Sequence, residues 1–414
     1  MAAPSSAPSV PPGPRGGRSS SNAADYAVDP LGFLTGAARE FGDVVSLTPA
    51  NVLLAHPDDI GRVLLDREGL VVKVGAATRR GPMGFPLAMM NSEGADWERK
   101  RARLRPALRS DRLEGLEHAA REGVARLVDT WHDGLEIDVH DEMSHLAMRV
   151  GAVHLAGRPL GARGETLIRA VAAIMRLTSA PRLPMWLPTR TNRDLRRSLH
   201  DLDSTLAALI AEHPAGEDDH ALGRLLADDP PFAEVRDELA TLLMSGYETT
   251  ANALTWLFHA LGGRPQAAGR MSEPGFAAAA AKEAMRLYPP AWVISRETVR
   301  PLEAGGYTLP AGTTLGLSQW VVHRDERWFP DPEAFRPERW LDGGRPGHRH
   351  AYFPFGAGPR GCAGASMALR EVEVIAAALC SRVRLEPVHP ERVRPRPALA
   401  LQPVGVRAVV RFPR

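Results

Sequence analysis

The chain has 414 residues, with 51 Lys and Arg against 49 Asp and Glu, a formal charge of +2. That balance excludes a generally basic nucleic-acid binder, and 44% hydrophobic residues suffice for a large core. The two cysteines, Cys362 and Cys380, cannot build a disulfide framework, and their spacing fits no zinc site.

A reducing cytoplasm is the expected compartment. No apolar run reaches the ~18 residues a membrane-spanning helix needs, and the N-terminus lacks a signal-peptide pattern. Neither a membrane nor a nucleic-acid partner is expected.

Residues 1–24 are rich in Pro, Ser and Gly and are expected to be a disordered leader, leaving 25–414 as one domain. A helical pattern through Leu31, Phe33, Leu34, Ala37 and Phe41 precedes strand-like runs at 44–47 and 52–55, which flank Thr48-Pro49-Ala50-Asn51. His56-Pro57-Asp58-Asp59 then opens another helix. Residues 74–92 form an irregular apolar loop with Phe85 and Leu87. Trp97 and Arg101 follow on one face of a basic helix, two donors suited to a single anionic group.

Residues 112–228 read as successive helices, interrupted by the proline-rich stretch at 181–188 that holds Met185 and Trp186. After Pro230-Pro231 a proline-free run covers 232–261, and thirty helical residues span roughly 45 Å. Its middle reads Ser245-Gly246-Tyr247-Glu248-Thr249-Thr250. A Thr249 hydroxyl bonded one turn back would open the helix at Gly246, next to an acid, Glu248.

Glu283 and Arg286 are helix neighbours, alone a commonplace salt bridge. A strand over 291–296 places Trp292, Ile294 and Arg296 on one face, with Val293 in the same run. Strands at 307–309 and 313–317 are expected to form a hairpin through Pro310-Ala311-Gly312. Runs at 383–385 and 404–410 suggest a closing sheet, with a turn near Ala398 and Leu399.

Between these lies Phe353-Pro354-Phe355-Gly356-Ala357-Gly358-Pro359-Arg360-Gly361-Cys362-Ala363-Gly364, followed by a helical pattern. A cysteine at a helix N-terminus is favoured as thiolate, and glycines let a flat group approach. By itself Cys362 is open to nucleophile or ligand roles. Cys380 reads as a small core residue.

The loop fills every fixed position of F-G-x-G-x-R-x-C-x-G, and the chain thereby resembles the cytochrome P-450 superfamily of soluble bacterial type. Three further motifs agree: Gly246 to Thr250, Glu283 with Arg286, and Pro337-Glu338-Arg339-Trp340, where the family often has Phe for Trp340. The resemblance implies a mainly α fold with small β-sheets, one large triangular domain with a long central helix over haem b.

It gives Cys362 the iron and makes Phe355, Gly246 and Gly364 neighbours of the cofactor. It gives Trp97, Arg101, Arg296 and Arg360 the haem propionates, and Glu248 and Thr249 proton delivery to O2. Glu283, Arg286 and Arg339 become a structural set. Phe85, Leu87, Met185, Trp186, Trp292, Val293, Ile294 and Leu399 become candidates for a pocket for a hydrophobic substrate. The outer face of the basic helix would dock an acidic electron donor.

No nucleotide-binding glycine motif is present, so electrons are expected from a separate ferredoxin or flavodoxin with its reductase, and a monomer is expected. The implied activity is monooxygenation in specialised metabolism. An H2O2-driven peroxygenase, an oxidative coupling or cyclising enzyme, and a haem-based sensor are the alternatives; the Glu248–Thr249 pair argues against the first.

Overall fold

The computed structural model describes residues 10–14, 19–74, 85–108, 113–158, 160–178, 184, 186–214, 220–227 and 229–413. It is mainly helical with small sheets. The chain divides into two compact units: Met1–Ala76 with Glu283–Cys362, and Ala77–Lys282 with Ala363–Arg414. Elements are numbered along the whole chain.

In the first unit, α1 (Ser19–Val28) and α2 (Pro30–Phe41) precede strands β1 (Val44–Thr48) and β2 (Asn51–Leu54), α3 (Pro57–Leu65) and β3 (Val71–Val72). Asp29 caps α2 by accepting from Gly32 N, and Pro30 sits at its first position. Within the expected leader, Pro12 O accepts from Ser46 N at 2.8 Å and α1 already begins at Ser19, so these parts carry structure.

The unit resumes within α12 (Phe276–Leu287) and continues with β5 (Ile294–Thr298), β6 (Leu302–Ala304), β7 (Tyr307–Leu309), β8 (Thr314–Leu317) and α13 (Gln319–Val322). A five-stranded sheet has the order β1-β2-β8-β5-β3, antiparallel except for β2 with β8. Val52, Leu54, Leu315, Leu317, Ile60, Leu64, Phe329 and Phe353 close its core.

The expected hairpin of 307–309 with 313–317 does not form. β7 pairs with β6 through Gly305-Gly306, whose φ values of 54° and 83° suit a two-residue hairpin turn. β8 pairs instead with β2 and β5. A diglycine turn joins two strands directly, whereas Pro310 to Gly312 hands the chain to another sheet.

In the second unit, α4 (Gly94–Leu104), α5 (Leu113–Val128), β4 (Glu136–Asp138), α6 (Val139–Ala156), α7 (Ala162–Thr178), α8 (Arg190–Ala211) and α9 (Ala221–Leu226) lead to α10 (Phe232–Leu261). α11 (Pro265–Gly269) follows. After Cys362 come α14 (Ala365–Cys380), β9 (Arg384–Val388), β10 (Arg394–Pro397), β11 (Leu401–Val404) and β12 (Arg407–Arg411).

α10 is the 30-residue helix read from the sequence, packed along α6, with Leu254, Leu257 and Trp256 at or below 1% exposure. Its polar middle does not break it: the helix runs uninterrupted through Gly246. β12 lies between β4 and β9, and β10 pairs with β11 around the turn at Ala398 to Ala400. No described helix is long and apolar enough to cross a membrane.

Candidate active site

The cysteine loop is built on the first unit's buried frame. Cys362 N donates to Phe355 O at 2.9 Å and Gly356 N to Phe353 O at 2.9 Å, folding the loop back on itself. Gly356 and Gly358 adopt φ of 66° and 67°, which side chains other than glycine rarely take. A Cβ on Gly358 would lie 2.3 Å from Leu64 O, so the loop rests directly on the backbone end of α3. Cys362 itself is exposed, three residues ahead of the first residue of α14, and Gly364 is the helix N-cap.

Beneath the loop lies the Glu283 cluster. Arg286 donates from Nε and Nη2 to the two Glu283 oxygens, each at 2.9 Å, and both residues are 0% exposed. Arg339 Nε adds a 2.9 Å bond, Trp340 Nε1 one of 2.8 Å, and Arg336 N one of 3.0 Å. Trp340 in place of phenylalanine therefore supplies an extra indole donor. Arg286 also donates to His323 O at 2.8 Å, and His323 Nε2 accepts from Phe353 N at 3.0 Å. Burial keeps His323 well below its usual range and hence neutral, as an acceptor must be. Sequence reasoning missed His323; its only signal was a histidine placed after a strand with no evident task.

Arg296 on β5 donates to Ser295 O at 2.9 Å, and burial lowers its pKa, partly opposed by Asp66. Burial pushes Arg360 down to about 10. Guanidinium groups so desolvated favour an anionic partner, as propionates are. Together with the exposed Cys362 thiol at a helix start, this donor set fits a haem-thiolate group. Ile294 approaches the loop, its Cδ1 3.4 Å from a Cβ placed on Gly356.

Val293 lines, with Ser295, Thr314, Tyr26 and Phe33, a cavity of about 320 Å³, whereas Ile294 packs against the core of the sheet. Trp292 is 6% exposed, and its carbonyl accepts from Ser318 Oγ at 3.1 Å.

In the second unit, Thr249 Oγ1 donates to Ser245 O at 2.6 Å, the back-bond expected from the sequence. Glu248 is buried, and a Cβ on Gly246 would meet nothing within 4 Å. Helix α10 thus offers an open notch, a hydroxyl and a buried acid within one turn.

Trp97 and Arg101 lie on α4 as expected, half-buried. The rest of that basic face is largely spent inside the unit. Arg99 bonds Glu234 at 3.1 Å and Asp96 at 2.8 Å, Arg103 reaches Glu234 at 3.4 Å, and Lys100 is buried.

Lys100 donates to Leu87 O and to Ser92 Oγ, while Leu87 N bonds Asp237 at 2.9 Å and Met89 N bonds Glu238 at 2.6 Å. Burial pushes both acids up, Glu238 to about 7. Three charged groups thus pin the loop at 87–92, a role sequence reasoning did not assign. Phe85 is 1% exposed, with the Arg236 guanidinium 5.9 Å above its ring. Trp186 is 78% and Leu399 43% exposed. Met185 lies outside the described residues.

The fold and the cysteine loop together define a haem-thiolate class of protein. The family model for Cytochrome P450 matches residues 11–274 and 276–408. The chain is 33% identical over 401 residues to the cyclooctat-9-en-7-ol 5-monooxygenase of Streptomyces melanosporofaciens, covering 87% of this chain and 86% of that protein. It is 28% identical to the pentalenene oxygenase of Streptomyces avermitilis, covering 88% and 92% respectively. The crystal structure of CYP175A1 from Thermus thermophilus superposes with a TM-score of 0.79 at 33% identity, covering 94% of this chain and 97% of that one. The chain belongs to the cytochrome P450 family. It is a haem-thiolate monooxygenase that uses O2, electrons from a redox partner and a small-molecule substrate.

Proposed function

We propose that the enzyme inserts one oxygen atom from O2 into a hydrophobic, terpene-like small molecule, with haem b as its cofactor. The observation that carries this is the middle of α10: an open notch at Gly246, the Thr249 hydroxyl on Ser245 O, and buried Glu248. The substrate class is supported by the two Streptomyces relatives, a cyclooctat-9-en-7-ol 5-monooxygenase and a pentalenene oxygenase.

In this reading Cys362, positioned by its backbone bond to the Phe355 carbonyl and by the turn glycines, would hold the haem iron as a thiolate. In the first unit Arg296 and Arg360 would pair with propionates, with Phe355 as a cofactor neighbour; in the second, Trp97 and Arg101 would be the further donors, with Gly246 and Gly364 as cofactor neighbours. When bound, the haem supplies the oxidising chemistry at the substrate C–H bond. Thr249, beside the Gly246 notch, and Glu248, on the hairpin side of α10, would be the residues that supply protons. Trp292 and Ile294 in the first unit, and separately Phe85 and Leu87 in the second, are the apolar residues this reading would assign to substrate. Glu283, Arg286 and Arg339 keep the cysteine loop rigid. Electrons come from a ferredoxin or flavodoxin with its reductase, and the protein works as a cytoplasmic monomer.

The test compares turnover with O2 and a surrogate ferredoxin system against turnover with H2O2 alone, on a panel of cyclic hydrocarbons. The reading requires reductant-dependent product that falls in Thr249→Ala while H2O2 release rises. Equal product from H2O2 alone, untouched by Thr249→Ala, would assign a peroxygenase instead.

A further inference from the structure

Glu248 does not stand alone in its unit. Its Oε1 accepts from Gln402 Nε2 on β11 at 2.7 Å. The amide of Gln402 is itself oriented: Arg396 donates from Nε to Gln402 Oε1 at 3.0 Å and from Nη2 at 2.5 Å. With both guanidinium donors on the amide oxygen, only the NH2 is left to face Glu248. Arg396 and Gln402 are cross-strand partners in the β10–β11 hairpin, which fixes the pair. Trp256 Nε1 on α10 bonds Leu401 O at 3.2 Å, tying β11 to the helix one residue from Gln402. Gly246 and Glu248 are two residues apart, hence on nearly opposite sides of the helix. The carboxylate is thus drawn toward the hairpin and away from the notch.

We propose that Gln402, aligned by Arg396, is a positioning residue that fixes the place of the Glu248 carboxyl group. It holds that group by one amide N–H, while Arg396, exposed on β10, makes the hairpin the solvent-side end of the arrangement. The proposal rests on the reading of Glu248 as the proton-supplying acid.

The test uses the holoenzyme. Infrared spectroscopy identifies the Glu248 carboxyl group as the band lost in Glu248→Gln, and the same band is followed in Gln402→Leu, Arg396→Ala and Gln402→Met, the last kept close in volume in case Leu does not fold. Removing the donor is expected to shift that band, because the group loses its amide hydrogen bond. Product formed per O2 consumed should fall at the same time, with substrate-induced spectral shifts unchanged. Arg396→Ala should give a smaller band shift, and Gln402→Leu added to Glu248→Gln should have no further effect on coupling. A Gln402→Leu or Gln402→Met protein with the wild-type band overturns the proposal. A Glu248→Gln protein with wild-type coupling overturns instead the underlying reading of the acid, and the band position still decides the role of Gln402.

Discussion

Removal of Glu283 is the perturbation whose cost the structure defines most fully. Its carboxylate is 0% exposed and takes bonds from two Arg286 nitrogens, Arg339, Trp340 and the Arg336 backbone. Glu283→Ala leaves the Arg286 guanidinium buried with only carbonyl acceptors, those of His323, Pro332 and Ala334. Breaking one side of a buried pair costs roughly 3–5 kcal/mol, a large part of the total of about 5–15 kcal/mol. Glu283→Gln keeps one acceptor but turns an NH2 against existing donors, and should cost less. Trp340→Phe removes a single bond to a charged group, about 1.5–3 kcal/mol. Urea unfolding and haem content per chain measure the series, with the expected order Glu283→Ala, then Glu283→Gln, then Trp340→Phe. Because His323 and Phe353 link the cluster to the cysteine loop, haem retention should fall in the same order. A Glu283→Ala protein within about 1 kcal/mol of wild type and fully haem-loaded would refute the reasoning.

Gly358→Ala should yield protein with little bound haem, because its Cβ would lie 2.3 Å from Leu64 O at a φ of 67°; absorbance per chain reads this directly. Thr249→Ala should keep substrate binding but divert most O2 to H2O2, measured as product per O2 consumed, since it removes the hydroxyl now on Ser245 O. Glu238 has a folded pKa of about 7, raised from 4.5 by burial. Its stabilising contribution is therefore complete below 4.5 and lost as pH rises through 7. Glu238→Gln should raise Tm at pH 8 and leave it nearly unchanged at pH 4.5; the displacement sets an upper bound of roughly 3 kcal/mol.

The sequence was most legible where the signal is local. Pro230-Pro231 and the proline-free run beyond set both ends of α10, and Thr249 made its back-bond to Ser245 because that partner lies one turn away. Glu283, Arg286 and Arg339 come together as the resemblance implied. Legibility failed where partners are remote. Local turn chemistry at Pro310 to Gly312 gives no sign that β8 pairs with β2 and β5. Nothing local to Val293 shows that it lines a cavity with Tyr26 and Phe33, residues more than 250 positions away. The Lys100, Asp237 and Glu238 anchors look like ordinary surface charges in sequence; burial alone makes them a clamp on the loop at 87–92.

The central claim is that Cys362 carries the haem iron as a thiolate and does not itself attack substrate. A reduced carbon monoxide difference spectrum on the purified holoenzyme tests it most directly. The account predicts the Soret band of thiolate ligation in the wild type and its loss in Cys362→Ala. A wild type without that band, or a Cys362→Ala protein that keeps it, would contradict the account.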